Sequence, residues 1–173
     1  EMTVKSGQKC TAIRRVLVPE AVYDAAAEAI GARLAKTTVG NPRNASVRMG
    51  ALVSRTQLAS VRAGLQQLEA AATVLHDGRG APLVDADPQV AACIGPVLLG
   101  TRAPDAASAV HDVEVFGPVA TLMPYRDLAY AEALAERGQG SLVASLYGED
   151  AGELARLATA LAPDPLRGRR GLV

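Results

Sequence analysis

The sequence contains no tryptophan, a single phenylalanine and four tyrosines, so aromatics make up only 3% of its 173 residues. Any core must be aliphatic, and with 49% hydrophobic residues there is ample material, mainly Ala, Val and Leu. Cysteine is also scarce. Cys10 and Cys93 are too few for a disulfide framework and point to a reduced, cytoplasmic setting. Two histidines and no Cys/His cluster exclude a structural zinc site, and no metal ligand is assigned. Eighteen basic and eighteen acidic residues cancel, which removes the strong field that nucleic acid or an anionic membrane surface would need. No apolar run reaches the roughly 18 residues of a bilayer span. Neither a nucleic-acid nor a membrane partner is expected.

The length suits one domain or two small ones. The first residue is Glu1, and no charged and then apolar leader follows, so the chain is expected to be part of a longer working molecule. No internal repeat is visible. Helical and strand patterns alternate, which favours an α/β layer architecture. Arg14 to Val18 reads as a strand closed by Pro19. Glu20 to Lys36 reads as a helix with Val22, Ala26, Ala29, Ile30 and Leu34 on one face. After a loop from Val39, Ser54 caps a second helix reaching Ala71, with Leu58, Val61, Leu65 and Leu68 aligned. Thr73 to His76 reads as a short strand, and Ala91 to Leu99 as another whose Pro96 places it at an edge or makes it irregular. Pro104 to Val110 suggests a short helix. Val119 to Met123, Asp127 to Arg137, Ser141 to Tyr147 and Glu149 to Leu161 then read as strand, helix, strand, helix, an order that implies parallel pairing through right-handed crossovers. The tail from Pro163 is expected to be disordered.

Gly7-Gln8-Lys9-Cys10-Thr11 carries the first candidate chemistry. If Gln8 to Ile13 forms a helical turn, Cys10 lies near a helix N-terminus, where the dipole and free N–H groups stabilise a thiolate and can donate to an oxyanion. The thiolate is the nucleophilic form. The alternative is a buried cysteine acting as a small hydrophobe, which is the favoured reading for Cys93 between Ala92 and Ile94. The second candidate is Glu114 with Phe116. In an extended backbone these two point to the same side, and a carboxylate beside a flat ring can grip a ligand with sugar hydroxyls and an aromatic face. A core Phe and a solvated Glu are the alternative. His76 and His111 stand in surface-like contexts beside aspartates. Glu69, Glu132 and Glu153 read as solvated helix faces, and Gly78-Arg79-Gly80 as a turn rather than a phosphate loop.

Four segments occur in one order: Gly7-Gln8-Lys9-Cys10, Val39-Gly40-Asn41-Pro42, Met49-Gly50-Ala51-Leu52-Val53-Ser54 with Gln57, and Glu114-Val115-Phe116-Gly117-Pro118-Val119. Together they resemble the aldehyde dehydrogenase superfamily over residues 1 to 162, with Gly50-Ala51-Leu52 replacing the usual Gly-Pro-Leu. The resemblance implies an α/β, three-layer catalytic domain with a mostly parallel sheet flanked by helices, here in part. It implies that Cys10 is the nucleophile forming a thiohemiacetal and then a thioester, that Glu114 binds the nicotinamide ribose, and that Phe116 packs near the nicotinamide. It further implies NADP or NAD as the cofactor, a small-molecule aldehyde as the partner and a homo-oligomeric parent enzyme. The stretch from Glu1 to Arg15 resembles a narrower group, the oxepin-CoA hydrolase / semialdehyde dehydrogenases of phenylacetate catabolism, implying a CoA-linked semialdehyde and NADP. The family's dinucleotide-binding domain, general-base Glu and oxyanion Asn are expected upstream of this chain, so the isolated fragment is expected to be inactive. An inactive remnant or structural module, and acyl transfer to CoA in place of hydrolysis, are the competing readings.

Overall fold

The computed structural model describes residues 1–138 and 141–162. Strands β1 (Arg15–Pro19), β2 (Thr73–Asp77), β3 (Val97–Gly100) and β4 (Val119–Tyr125) form one sheet in the order β1-β4-β3-β2. β1 and β3 run parallel to β4, and β2 runs antiparallel to β3. The helices are α1 (Tyr23–Leu34), α2 (Arg55–Glu69), α3 (Ala109–Asp112), α4 (Leu128–Glu136) and α5 (Ala151–Leu161).

β4 is buried on both faces and apolar there except for Thr121, as expected for a strand inside a parallel sheet. Its side chains alternate between two cores. Val119 and Met123 join Val97 and Leu99 against Leu58, Val61, Leu65 and Leu68 of α2. Ala120 and Leu122 join Leu98 against Tyr23 and Leu34 of α1. The result is the expected arrangement of helix, sheet and helix in three layers. Each fully buried aliphatic side chain here contributes roughly 1.5–3 kcal/mol.

α2 starts where its cap predicts, with Ser54 Oγ accepting from Gln57 N at 3.0 Å. α4 is capped in the same way by Asp127, which accepts from Tyr130 N at 2.7 Å. α1 follows a 3-10 turn at Glu20–Val22, and its inward face is rotated from the expected one. Tyr23, Ala26, Ala27, Ile30 and Leu34 face the sheet, while Val22 is exposed.

Two expected strands differ. β3 begins only at Val97. Pro96 has no N–H to donate, and its carbonyl instead accepts from Gly78 N at 2.9 Å. β3 nonetheless lies inside the sheet and not at its edge. Ser141 to Tyr147 is not a strand; Leu142, Val143 and Tyr147 are exposed, and β1 remains the sheet edge. The parallel β-α-β step expected from Val119 to Tyr147 is therefore not formed among the described residues. The short helix forms later than expected, at Ala109–Asp112. The tail after Ala162 lies outside the described residues.

Candidate active site

Cys10 is exposed in a single turn closed by Ala12 N donating to Lys9 O at 3.0 Å. No helix starts there, so the expected help from a helix dipole does not arise. The turn is held from the preceding residues instead. Lys5, Ser6 and Gly7 have φ of 51°, 56° and 71°, three successive left-handed residues of which two carry a Cβ. Such conformations cost on the order of 1–3 kcal/mol each and persist only when their surroundings impose them. Here Ser6 is buried, with Oγ donating to Gly50 O at 2.8 Å. Gln8 Oε1 accepts from Val53 N at 3.0 Å. Both partners lie in the loop from Met49 to Ser54. Gly7 packs so tightly on the carbonyl of Gly117 that a Cβ there would overlap it. Lys9 pairs with Glu1 at 3.3 Å.

That contact brings the cysteine turn against the second candidate segment. Residues 113–116 alternate in burial, with Val113 and Val115 packed into the core and Glu114 and Phe116 facing out, and Gly117 N donating to Val115 O at 2.9 Å closes a tight turn at Phe116. α2 supports this stretch from beneath. Gly64 leaves room for Val115, since an added Cβ would stand 2.8 Å from Val115 Cγ2, and Gln57 Nε2 donates to Phe116 O at 2.8 Å. The side chain of Glu114 is 67% exposed. Cys10, Glu114 and Phe116 all line one open cleft of about 1240 Å³.

Arg14, expected only as the start of a strand, contacts Glu114, Phe116 and the backbone of the Cys10 turn. Its Nη2 lies 2.9 Å from Glu114 Oε1 and 3.4 Å from Lys9 O, and its Nη1 lies 3.5 Å from Ala12 O. Its guanidinium carbon stands 5.6 Å from the centre of the Phe116 ring. Arg14 Nε is buried without a partner among the described residues. Nothing local marks this role beyond two successive arginines, because the partners come from distant segments.

Among the described residues no hydrogen bond joins Cys10 to His76 or His111. His111 is half-buried and not in the expected surface context, with Nδ1 3.3 Å from Arg15 Nη1 and Nε2 3.0 Å from Pro104 O. Burial and the charges of Arg137 and Arg15 hold its pKa below the usual value, against the pull of the Pro104 carbonyl and Asp112. Cys93 is half-buried in an irregular segment, and burial pushes its thiol up. Glu69 and Glu132 are paired with Arg79 and Arg156 at 2.8 and 2.7 Å, so neither is simply solvated. No cluster of three or more His, Cys, Asp or Glu able to hold a metal occurs among the described residues. No described helix is long and apolar enough to cross a membrane.

The model of the aldehyde dehydrogenase family matches residues 1–163. The chain belongs to the aldehyde dehydrogenase family. It is 51% identical over 163 residues to 3,4-dehydroadipyl-CoA semialdehyde dehydrogenase of Aromatoleum evansii, a match covering 94% of this chain and 32% of that one. It is 30% identical over 157 residues to glutarate-semialdehyde dehydrogenase of Pseudomonas putida, covering 90% and 31%. Among solved structures, betaine aldehyde dehydrogenase of Staphylococcus aureus in complex with NAD+ superposes with a TM-score of 0.80 at 26% identity, over 90% of this chain and 30% of that one. The aldehyde dehydrogenase of Bartonella henselae gives 0.78 at 27% identity, over 90% and 32%. This aldehyde dehydrogenase chain thus spans about a third of the length of the relatives it matches.

Proposed function

We propose that this chain is the cysteine-bearing catalytic part of an NAD(P)-dependent aldehyde dehydrogenase, with Cys10 as the nucleophile. The observation that carries the reading is the exposure of Cys10 on one cleft with Glu114 and Phe116, its turn packed through Gly7 onto Gly117 of the same segment.

The chemistry follows from these groups. Cys10 Sγ adds to an aldehyde carbon, forming a C–S bond and an oxyanion that is protonated to a thiohemiacetal. A bound nicotinamide supplies the acceptor for the hydride that this carbon must lose. With that hydride lost and the hydroxyl proton released to solvent, the carbon would remain on Sγ as a thioester, and water would cleave it to release the acid and the thiol. The residues present fit such a cofactor: the exposed carboxylate of Glu114 can accept from ribose hydroxyls, and the ring of Phe116, 38% exposed beside it, offers a flat apolar face.

The likeness to the Aromatoleum evansii enzyme, named for a CoA-linked semialdehyde, supports that class of substrate; the phenylacetate-catabolism and NADP parts of the reading rest on the resemblance of Glu1 to Arg15 alone. Acyl transfer to CoA in place of hydrolysis would use the same thioester. The share of its relatives that this chain spans favours inactivity when isolated. Correct placement of reactants is worth roughly 7–11 kcal/mol, and a cofactor held by Glu114 and Phe116 alone would be poorly placed.

The test compares this chain with the full-length enzyme that contains it, each given a CoA-linked semialdehyde and NADP. The full-length enzyme is expected to form NADPH, with this chain alone and the full-length Cys10→Ser variant both silent. Retained turnover in Cys10→Ser would overturn the assignment of the nucleophile.

A further inference from the structure

We propose that Arg14 is a positioning residue of this site, a charged brace that ties the Cys10 turn to Glu114 and sets its positive charge beside the thiol. The proposal rests on the reading of Cys10 and Glu114 given above, and deepens it.

The geometry is specific to a guanidinium. Arg14 Nη2 meets Glu114 Oε1 at 2.9 Å and Lys9 O at 3.4 Å, while Nη1 meets Ala12 O at 3.5 Å. The two carbonyls flank Cys10 in the chain, so the fork closes over the inner side of the turn that presents the sulfur. The same plane stands 5.6 Å from the centre of the Phe116 ring. One cation therefore contacts both sides of the junction between the nucleophile's turn and the cofactor-facing segment. A lysine ammonium is a point charge and cannot make the same set of contacts.

Exposure argues that orientation is the purpose. The Arg14 side chain is 23% exposed and its partner Glu114 67% exposed, so the pair is too wet to be a major anchor of the fold. It still holds one oxygen of Glu114, and the other has no partner among the described residues, so the carboxylate is oriented before any ribose hydroxyl reaches it. In return Glu114 masks a positive charge that would otherwise act on whatever approaches the thiol. Cys10 and Glu114 are coupled through Arg14.

The test uses this chain with Cys93→Ser and compares alkylation of Cys10 by neutral iodoacetamide and by anionic iodoacetate. The ratio of the two rates reads the charge at the thiol; a change confined to packing moves both rates together. Arg14→Gln is expected to lower the iodoacetate to iodoacetamide ratio about threefold, the size of a unit charge acting over several ångströms in water. Arg14→Lys should restore most of the ratio, and Glu114→Gln should raise it by unmasking Arg14. An unchanged ratio in Arg14→Gln and Glu114→Gln, whether or not both rates fall, would overturn the proposal. Should Arg14→Gln fail to fold, Glu114→Gln decides alone, since that side chain is exposed. If Cys10 of the unsubstituted chain labels no faster than Cys93, the nucleophile assignment fails, and the ratios still judge Arg14.

Discussion

At Gly7 two constraints coincide: a φ of 71° and a backbone contact with the Gly117 carbonyl that leaves no room for a Cβ. The position joins the cysteine turn to the segment carrying Glu114 and Phe116. Gly7→Ala is therefore expected to destabilise the chain by about 2 kcal/mol or more, the sum of a left-handed alanine and a displaced turn, read from urea unfolding. A midpoint within error of the parent chain would contradict the contact. At this scale the site was partly legible in the sequence. Cys10, Glu114 and Phe116 stood out because their segments resemble family motifs in the family's order; from the residues alone a buried thiol, a solvated Glu and a core Phe were the simpler readings. The cause assigned to the thiol was wrong, since no helix begins beside it. Arg14 stayed hidden because its contacts depend on how the Glu114 segment folds back onto the cysteine turn.

Among the elements, the joint between β1, α3 and α4 depends on ionisation. Arg15 reaches from β1 to donate to Leu134 O at 2.7 Å and Ala135 O at 3.0 Å, satisfying carbonyls at the end of α4. Its burial and the neighbouring Arg137 lower its pKa. His111 in α3 sits against this guanidinium, with Asp112 beside it in sequence, and folding lowers its pKa below the ordinary 6.5. The folded protein thus binds this proton more weakly than the unfolded chain. The stability that neutral His111 contributes is complete above about pH 6.5 and is lost as the pH falls through its lowered folded value. Thermal melts from pH 7 to 5 are expected to show a falling midpoint, and His111→Gln should flatten that part of the profile. An identical slope in both proteins would exclude His111 as the cause. The elements themselves were readable where a local signal existed. Ser54 and the Leu58, Val61, Leu65, Leu68 face marked α2, and the apolar run of β4 marked a covered strand. Ser141 to Tyr147 misled because a short apolar run reports a tendency to be covered, whereas a strand also needs a hydrogen-bonding neighbour.

For the whole molecule, three layers set the site at one end of α2, where Gln57, Val61 and Gly64 support the Phe116 segment and the loop before α2 holds Ser6 and Gln8. The layered class could be read from the alternation of elements; the order β1-β4-β3-β2 could not, because pairing between strands distant in the chain leaves no local mark. The account depends on Cys10 being the thiol that electrophiles reach first. Its exposure on the cleft and the half-burial of Cys93, whose thiol is pushed up, set the two apart. The most direct measurement is limited iodoacetamide labelling of the native chain near neutral pH, followed by peptide mass spectrometry at successive times. Cys10 is expected to be modified at least about tenfold faster than Cys93. Equal rates at the two cysteines, or faster labelling of Cys93, would contradict the account.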